Sequence, residues 1–364
     1  MGMRGRSSDW RTTAVTELLG LGLPIVQGPF GGLSSVELTA AVSNAGGLGS
    51  FGLYGYEPER ILQTAEQLRA RTDKPFNLNL WLEHGGSDSL HPTEAEFASW
   101  LEPLLPYFAE LGVPAPTLPA RFLPSFEEQF EALLAARPAV ASFVFGVPSP
   151  EALDRLRGAG IRSVGNATTV DEAIALDAAG IDAIIATGFE AGGHRVSFLR
   201  PAEDSLTGLF TLVPQVVDAV RAPVIAAGGI ADGRGIAAAL ILGAGAVQLG
   251  TAFLATDESA ASAVHKAQLH GPDAGRTTLT RVYSGRLARG IPNRMLRELT
   301  EVADRLAPFP AQNWLTGRFK PAAVEQGAAG LMSLWAGQAA PLTRGGSAAS
   351  LMATLEDETD RLLG

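Results

Sequence analysis

The chain has 364 residues, of which 46% are hydrophobic and 18% are charged, so it can bury a large core and form one barrel with a small second domain. A formal net charge of −10 and a pI near 5.1 argue against a protein that binds the nucleic-acid backbone. The chain contains no cysteine, which excludes disulfides, thiolate metal ligands and a cysteine nucleophile.

Short apolar runs alternate with helical patterns along most of the chain. Eight of these runs are predicted as β-strands: 24–30, 47–51, 76–80, 141–146, 161–167, 183–187, 223–229 and 246–251. The seven helices predicted between them are 35–45, 58–71, 126–136, 150–158, 170–179, 210–220 and 232–242. Strands that alternate with helices form a parallel sheet, and eight such strands predict an α/β fold of the (βα)8 TIM-barrel type.

Two segments interrupt the alternation. The proline-rich residues 81–125 follow the third strand, and because such loops lie at the catalytic end of a barrel, we expect this one to cover the site. Residues 257–330 predict a small, mainly helical substrate or lid domain beside a barrel formed by residues 1–256. Residues 331–364 are then predicted as a C-terminal helix that returns to the barrel.

Neither a signal peptide nor a membrane span is predicted. Residues 1–11 are polar and carry three arginines, without an apolar core, so we expect a cytoplasmic protein. Residues 235–256 contain no charged residue, but Gly243, Gly245 and Gly250 interrupt them. This segment is therefore better explained as a buried helix followed by a buried parallel strand than as a membrane span.

Glycines at the ends of the seventh and eighth strands predict a phosphate site. Gly228 and Gly229 end one strand, and Gly250 and Thr251 end the next. Exposed backbone N–H groups and the N-terminus of the following helix both favour a dianion, and barrels commonly bind phosphate at these strands. Tight turns without a ligand are the alternative.

His194 is the predicted catalytic residue. It follows Thr187 at the end of the sixth strand, and the intervening Gly192 and Gly193 let the backbone lie against a planar ring. An imidazole at the mouth of the barrel can exchange a proton near neutral pH. Glu190 either steadies this loop or faces solvent. The remaining histidines are predicted to be structural: His84, His91, His265 and His270.

The first and third strands end in groups that can meet a ring edge. Gln27 precedes Gly28 and Pro29, and Asn79 lies near the end of the third strand. An amide side chain offers both a donor and an acceptor. Each amide could instead satisfy buried backbone groups. Five arginines, Arg281, Arg286, Arg289, Arg294 and Arg297, are predicted to mark the solvated surface of a helix or hairpin.

Several of these motifs together resemble those of the nitronate monooxygenase family. They are QGPFGG, KPFNLNL, GFEAGGH, PVIAAGGIADGRG and VQLGT, in this order. The resemblance extends to PYFAELG after residue 105, YSGRLARGIPNR at 283–294 and LWAGQ at 334–338, and so covers nearly the whole chain. It implies a barrel that binds FMN non-covalently, with a smaller domain closing over the flavin.

The resemblance also assigns residues. It implies that His194 is the catalytic base, and that the flavin contacts are Gln27, Gly28, Asn79, Gly192, Gly229, Gln248, Gly250 and Thr251. One departure concerns Thr187, where relatives often carry Gln. Because threonine is shorter, a hydrogen bond to the ring would be lost or shared with water, and flavin affinity or potential would differ.

The resulting hypothesis is an FMN-dependent enzyme that uses O2 to oxidise an alkyl or propionate-type nitronate, or a nitroalkane, to a carbonyl compound and nitrite. Trp81 and Tyr283 are possible wall residues around this small organic anion, and no metal, nucleic acid or membrane is expected at the site. An NAD(P)H-dependent flavin enoyl reductase is the first alternative, and a flavin-binding barrel without turnover is the second. A purine-nucleotide dehydrogenase is excluded because it requires a cysteine nucleophile.

Overall fold

The computed structural model describes residues 9–82 and 90–364, which leaves His84 outside the described residues. Within them the strands are β1 (Ile25–Gln27), β2 (Gly49–Gly52), β3 (Phe76–Trp81), β4 (Val140–Val144), β5 (Arg162–Ala167), β6 (Ala183–Thr187), β7 (Gly193–His194), β8 (Val224–Ala227), β9 (Ala246–Leu249), β10 (Thr278–Thr280) and β11 (Ala288–Gly290). All eight predicted strands are present, although several end earlier than predicted because the chain turns away at glycine.

Eight strands form a closed parallel barrel. Their order is β1-β9-β8-β6-β5-β4-β3-β2, with each neighbouring pair parallel. The circle closes beside β1, where Gln27 N donates to Leu48 O at 2.9 Å and Leu48 N donates to Ile25 O at 2.9 Å. The (βα)8 barrel predicted from the sequence is thereby confirmed.

The helices surround this barrel or build the region beyond it. They are α1 (Ala14–Leu19), α2 (Val36–Asn44), α3 (Pro58–Arg69), α4 (Glu94–Leu101), α5 (Leu105–Glu110), α6 (Phe126–Ala136), α7 (Pro150–Gly158), α8 (Val170–Ala179), α9 (Leu209–Ala219), α10 (Gly233–Ile241), α11 (Thr251–Leu254), α12 (Ala263–Leu269), α13 (Arg294–Thr300), α14 (Ala311–Glu325) and α15 (Ala348–Leu363). Side-chain N-caps explain why several begin where they do, as at Ser125, Ser149 and Thr169. No described helix is both long and apolar enough to cross a membrane.

Alternating side chains divide the barrel core into two layers. In β6, Ala183 and Ile185 face the interior cluster, whereas Ile184 and Ala186 pack outward against the helices. The short helix α1 joins the interior cluster through Val15 and so closes the end of the barrel opposite the strand tips. The helix α15 packs against α10 and α2 as the last barrel helix, but it spans only Ala348–Leu363 and not the whole of residues 331–364.

A second hydrophobic core lies beyond the carboxyl ends of the strands. It combines residues 254–340 with α4 and α5, as where Phe108 packs edge-on against Phe319 at 5.2 Å. This region also contains a small sheet in the order β10-β11-β7. The described part of segment 81–125 therefore builds this second core. Of its residues, Trp81 alone lines the central cavity, so the expectation that this long segment covers the site is wrong for the described part.

Candidate functional site

A cavity of about 220 Å³ opens at the carboxyl ends of the barrel strands, beneath the second core. Twelve of the thirteen predicted site residues line it: Gly28, Pro29, Asn79, Thr187, Gly192, Gly193, His194, Gly228, Gly229, Gln248, Gly250 and Thr251. Strand tips form its floor, and the second core with β7 forms its roof. Convergence of glycines, amides and one imidazole on a concave surface is typical of a cofactor or substrate site.

Gln27 is the predicted residue that does not reach the cavity. Its side chain is fully buried, and its amide bonds the backbone of Ser50 in both directions, at 2.8 Å through Nε2 and 3.1 Å through Oε1. Contrary to the prediction, the side chain of Gln27 does not line the cavity in which a ligand would bind. Gln27 instead ties β1 to β2 beneath the site.

The predicted phosphate site has the expected glycine turn but lacks the expected free helix N-terminus. Gly228 and Gly229 have φ values of +120° and +70°, which side chains rarely adopt, and they turn the backbone toward the cavity. The following helix α10 does not offer its N-terminus, however, because Asp232 Oδ1 accepts from Arg234 N at 3.1 Å and Gly235 N at 3.2 Å. Any anion here is left to the glycine turn and to the start of α11 at Thr251.

The LWAGQ segment fixes the site from above. Gly337 N donates to Thr251 Oγ1 at 2.9 Å, and Gln338 N donates to Glu190 O at 2.9 Å. A Cβ on Gly337 would lie 2.8 Å from that carbonyl oxygen, so only glycine fits. The Glu190 carboxylate in turn accepts from Leu209 N at 2.9 Å. Of the two roles considered for Glu190, it therefore steadies the loop and does not simply face solvent.

Amide side chains on the cavity wall have unused acceptor capacity. Asn79 Nδ2 donates to Ser142 Oγ at 3.0 Å, so the atom it can offer to a ligand is Oδ1. Gln248 Oε1 is buried and has no hydrogen-bond partner among the described residues. An unmade buried hydrogen bond is unfavourable by about 1–3 kcal/mol, which makes a ligand donor at Gln248 energetically valuable.

The Ser284 hydroxyl holds the imidazole of His194. Nε2 lies 2.8 Å from Ser284 Oγ, and the same hydroxyl lies 3.2 Å from Arg286 O. When the hydroxyl donates to that carbonyl, it accepts from Nε2–H, and the lone pair of the neutral imidazole is on Nδ1. His194 is positioned by the pairing of β7 with β11, where it lies opposite Ala288.

The environment of His194 disfavours its charged form. Burial, followed by the positive charges of Arg286 and Lys320, lowers the pKa of His194 to about 3. Burial also lowers the pKa of Lys320 to about 7. His194 is therefore neutral at physiological pH, and Arg286, together with the protonated fraction of Lys320, creates a potential that attracts an anion.

Aromatic rings enclose His194. Trp81 and Trp335 lie 5.0 Å and 5.2 Å from the imidazole, centroid to centroid, and Phe309 packs on Trp81 at 5.7 Å. Trp81 lines the cavity as predicted, but Tyr283 does not, because it lies behind Trp335 and donates to Asn293 Oδ1 at 2.9 Å. The walls are thus suited to a small, mainly apolar ligand with a charged end.

Two buried arginines hold the loop that leads to His194. Arg195 is 2% exposed and donates to the carbonyl oxygens of Gly188 at 2.7 Å and Ser205 at 2.8 Å. Arg289 is 4% exposed and donates to Phe189 O at 3.0 Å. The prediction that the arginine cluster is a solvated surface is therefore wrong for Arg289, and also for the largely buried Arg286, because backbone carbonyls and ring faces take up their charge.

We expect Arg195→Leu to lower the free energy of unfolding by about 2–4 kcal/mol, because it leaves several buried carbonyl oxygens without a donor. Urea denaturation measures the effect. Arg297→Leu is the matched control, because Arg297 is exposed on α13 and its loss should change stability by less than about 0.5 kcal/mol. Equal midpoints for the two variants would contradict the structural role of Arg195.

Sequence reasoning missed several residues of the site. Asn166, Tyr54 and Asn313 line the cavity, and Ser284 orients His194. Asn166 is the second-last residue of the fifth strand, and this position was a usable signal, since parallel strands place their carboxyl ends at one rim. His265, as predicted, is structural, with Nε2 3.0 Å from Trp335 O. No cluster of acidic or histidine side chains suited to a metal occurs among the described residues.

The closed barrel and the site at its strand tips define a (βα)8-barrel enzyme. The family model described as nitronate monooxygenase matches residues 12–358. A nitronate monooxygenase from Pseudomonas aeruginosa is 43% identical over 95% of this chain and 99% of its own length. A probable nitronate monooxygenase from Staphylococcus aureus is 36% identical over 97% of this chain and 99% of its own. The chain belongs to the nitronate monooxygenase family, a family of oxidoreductases.

Solved structures agree with this family. Nitroalkane oxidase from Streptomyces ansochromogenes superimposes with a TM-score of 0.87 at 39% identity, covering 96% of this chain and 98% of that one. FabK from Thermotoga maritima has a TM-score of 0.75 at 29% identity and covers 97% of both chains. The same fold therefore occurs in a nitroalkane oxidase and in FabK. The fold alone does not identify the reaction, which is inferred from the residues of the site.

Proposed function

We propose that this enzyme binds FMN and uses O2 to oxidise small alkyl nitronates to carbonyl compounds and nitrite. The observation that carries the proposal is a neutral imidazole at a cavity wall, within the influence of the Arg286 charge and enclosed by aromatic rings. A nitronate is a small anion with an apolar tail. Its charge matches the positive potential near His194, and its tail matches the rings.

The residues present fit FMN. Backbone turns at Gly228 and Gly229 leave room for a phosphate, and a Cβ on Gly250 would meet only Phe30, at 3.8 Å, so a planar ligand can approach that backbone closely. The chain lacks cysteine, so thioether attachment is impossible. The residues that would hold the cofactor are Gly28, Pro29, Asn79, Thr187, Gly192, Gly193, Gly228, Gly229, Gln248, Gly250 and Thr251. FMN, when bound, supplies the acceptor for substrate electrons.

The protein's own part in the reaction is positioning and proton transfer. His194, which lines the cavity, would act as the neutral base toward a bound nitroalkane, while Ser284 holds the imidazole through Nε2. Because the pKa of His194 is about 3, this base is weak, and removing a proton from carbon is correspondingly slow. A preformed nitronate requires no such step. We therefore expect nitronates to be better substrates than nitroalkanes.

The second core completes the site as a lid. Residues 257–330, together with the LWAGQ segment, would shield the cofactor from bulk water, since Trp335 and Gly337 both line the cavity roof. Exclusion of water strengthens the attraction between the substrate anion and Arg286 behind the rings.

The direct test is turnover by the purified, FMN-loaded protein. With ethyl nitronate it should consume O2 and release nitrite, and heat denaturation should release FMN as free flavin. A flavin-loaded protein that forms no nitrite would fit the alternative of a binding barrel without turnover. A protein that takes up no FMN would overturn the proposal altogether.

Gly229→Leu should weaken FMN binding by about 100-fold or more, because a side chain at φ +70° strains the glycine turn and its Cβ would lie 3.3 Å from Glu190 Cβ, which displaces the backbone N–H groups proposed to hold the phosphate. The matched control is Gly327→Leu. Gly327 has a similar φ of +67° and nothing within 4 Å of its Cβ direction, so this variant carries the same backbone strain away from the site. Fluorescence titration of apoprotein with FMN gives both affinities. Equal losses would place the phosphate elsewhere.

A further inference from the structure

Asn166 is an unassigned polar residue in the cavity floor. It is the second-last residue of β5 and is 7% exposed. It lines the cavity beside Thr187 of the neighbouring strand β6. Thr187 Oγ1 donates to Asn166 Oδ1 at 2.7 Å. The amide nitrogen, Nδ2, has no partner among the described residues. The atom that Asn166 can offer to a ligand is therefore a hydrogen-bond donor.

This donor complements the acceptor offered by Asn79. Asn79 has its Nδ2 engaged by Ser142 and offers Oδ1. Two amides on the same floor thus present opposite hydrogen-bonding groups, each fixed by a hydroxyl from the adjacent strand. A ligand that satisfies both must carry a donor and an acceptor along its edge, as the pyrimidine side of a flavin ring does.

The position of Asn166 favours the ring over the substrate. Both amides belong to barrel strands, which form the floor, whereas His194 and Trp335 belong to the roof. A planar cofactor that extends from the glycine turn after β8 across the neighbouring β6 reaches β5 next. A substrate stacked between the ring and His194 would be separated from the floor by the ring itself.

We infer that Asn166, oriented by Thr187, donates a hydrogen bond to an acceptor atom of the flavin ring and raises the reduction potential of the bound flavin. A donor at a ring acceptor stabilises the electron-rich reduced ring more than the oxidised one. The pair Asn166 and Thr187 thereby supplies the contact that a longer side chain at position 187 would make alone. This inference rests on the proposed binding of FMN.

The experiment measures FMN affinity and reduction potential in apoprotein reconstituted with FMN. Asn166→Ala should weaken FMN binding by about 3–10-fold and make the potential more negative. Asn166→Asp keeps the acceptor for Thr187 but replaces the donor with a negative charge, so its potential should fall further. Asn44→Ala, which removes an exposed amide remote from the cavity, is the control and should match the parent protein.

Variants of Thr187 separate orientation from contact. Thr187→Val removes the hydroxyl that fixes the amide and should shift the potential in the same direction by less, whereas Thr187→Ser should bind FMN as the parent does. If Asn166→Ala does not fold, Asn166→Asp and Thr187→Val still decide the question. Unchanged affinity and potential in both would overturn the inference, as would a change confined to the KM for nitronate, which would place the amide against substrate.

Failure of this inference is distinguishable from failure of the proposed function. Affinity and potential are measured without turnover. A parent protein that binds FMN and forms no nitrite overturns the proposed function while the shifts in the Asn166 variants remain. A parent protein that forms nitrite while those variants keep the parent affinity and potential overturns the role of Asn166 alone.

Discussion

His194→Asn should lower kcat/KM for neutral nitroalkanes by about 10²–10⁴-fold, the usual contribution of a general base. Asparagine keeps a polar side chain of similar reach but has no basic lone pair at neutral pH. The same variant should retain far more of its activity on preformed nitronates, from which no proton has to be removed. FMN should stay bound, because the proposed phosphate site lies at the ends of β8 and β9, away from this residue. Oxygen uptake with both substrate forms measures the two ratios.

Ser284→Ala is the informative companion to this variant. It removes the hydroxyl that bonds Nε2, so the imidazole loses the contact that orients it. We expect a smaller loss on nitroalkanes than in His194→Asn, and little change on nitronates. Equal losses on both substrate forms in His194→Asn would mean that the residue holds substrate and does not act as a base.

Arg286→Met should reduce kcat/KM for nitronates by about 10–100-fold, chiefly through KM. The Arg286 guanidinium lies between the rings of Phe145 and Phe309, with its central carbon 4.1 Å and 4.3 Å from their centroids, and its charge lowers the pKa of His194. A loss of about 1.4–2.8 kcal/mol of attraction for an anion gives this range. Methionine keeps much of the packing volume. Arg286→Lys should restore most of the affinity, and Arg297→Met, on the exposed face of α13, should have none of the effect.

The pH profile of nitroalkane oxidation should change in the same variant. Burial is the main cause of the low pKa of His194 and remains in this variant, so loss of the Arg286 charge raises that pKa above about 3 but leaves it below the usual value near 6.5. As the pH falls, Arg286→Met should therefore lose nitroalkane activity at a higher pH than the parent enzyme does. Identical profiles would show that Arg286 does not act on His194.

The barrel was predictable because its strands and helices are marked by local sequence patterns. Apolar runs such as β6 and capped helices such as α6 and α8 are local features, and their predicted bounds match those in the structure. The strand ends were predicted too long at Gly229 and Thr251, since a positive φ and a helix start are decided by the contacts around the rim. Paired glycines after strands still located the cavity correctly.

The roof of the site was not predictable in the same way. Ser284 meets His194 across 90 positions in sequence, and Trp335 reaches it from farther still. Such contacts depend on how the second core packs over the barrel. Charge was equally misleading for Arg289, because a side chain that is buried against backbone carbonyls looks the same in sequence as one on the surface.

Gln27 shows that a position at a strand end does not by itself predict a ligand contact. Its place at a strand tip in the QGPFGG motif suggests a ligand contact, yet both its amide atoms serve Ser50. Asn166 is the second-last residue of β5, without a surrounding motif, and nevertheless faces the cavity. Strand-end position therefore identifies candidates, but only the hydrogen bonds of the folded chain show which amides remain available to a ligand.

The central claim is that a nitronate, and not a reduced nicotinamide, delivers electrons to this site. Anaerobic mixing of the FMN-loaded protein with ethyl nitronate, and separately with NADPH, tests it by following the visible absorbance of oxidised flavin. The account predicts rapid loss of absorbance with nitronate and none with NADPH on the timescale of turnover. Rapid bleaching by NADPH with no response to nitronate would contradict it and identify the flavin enoyl reductase alternative.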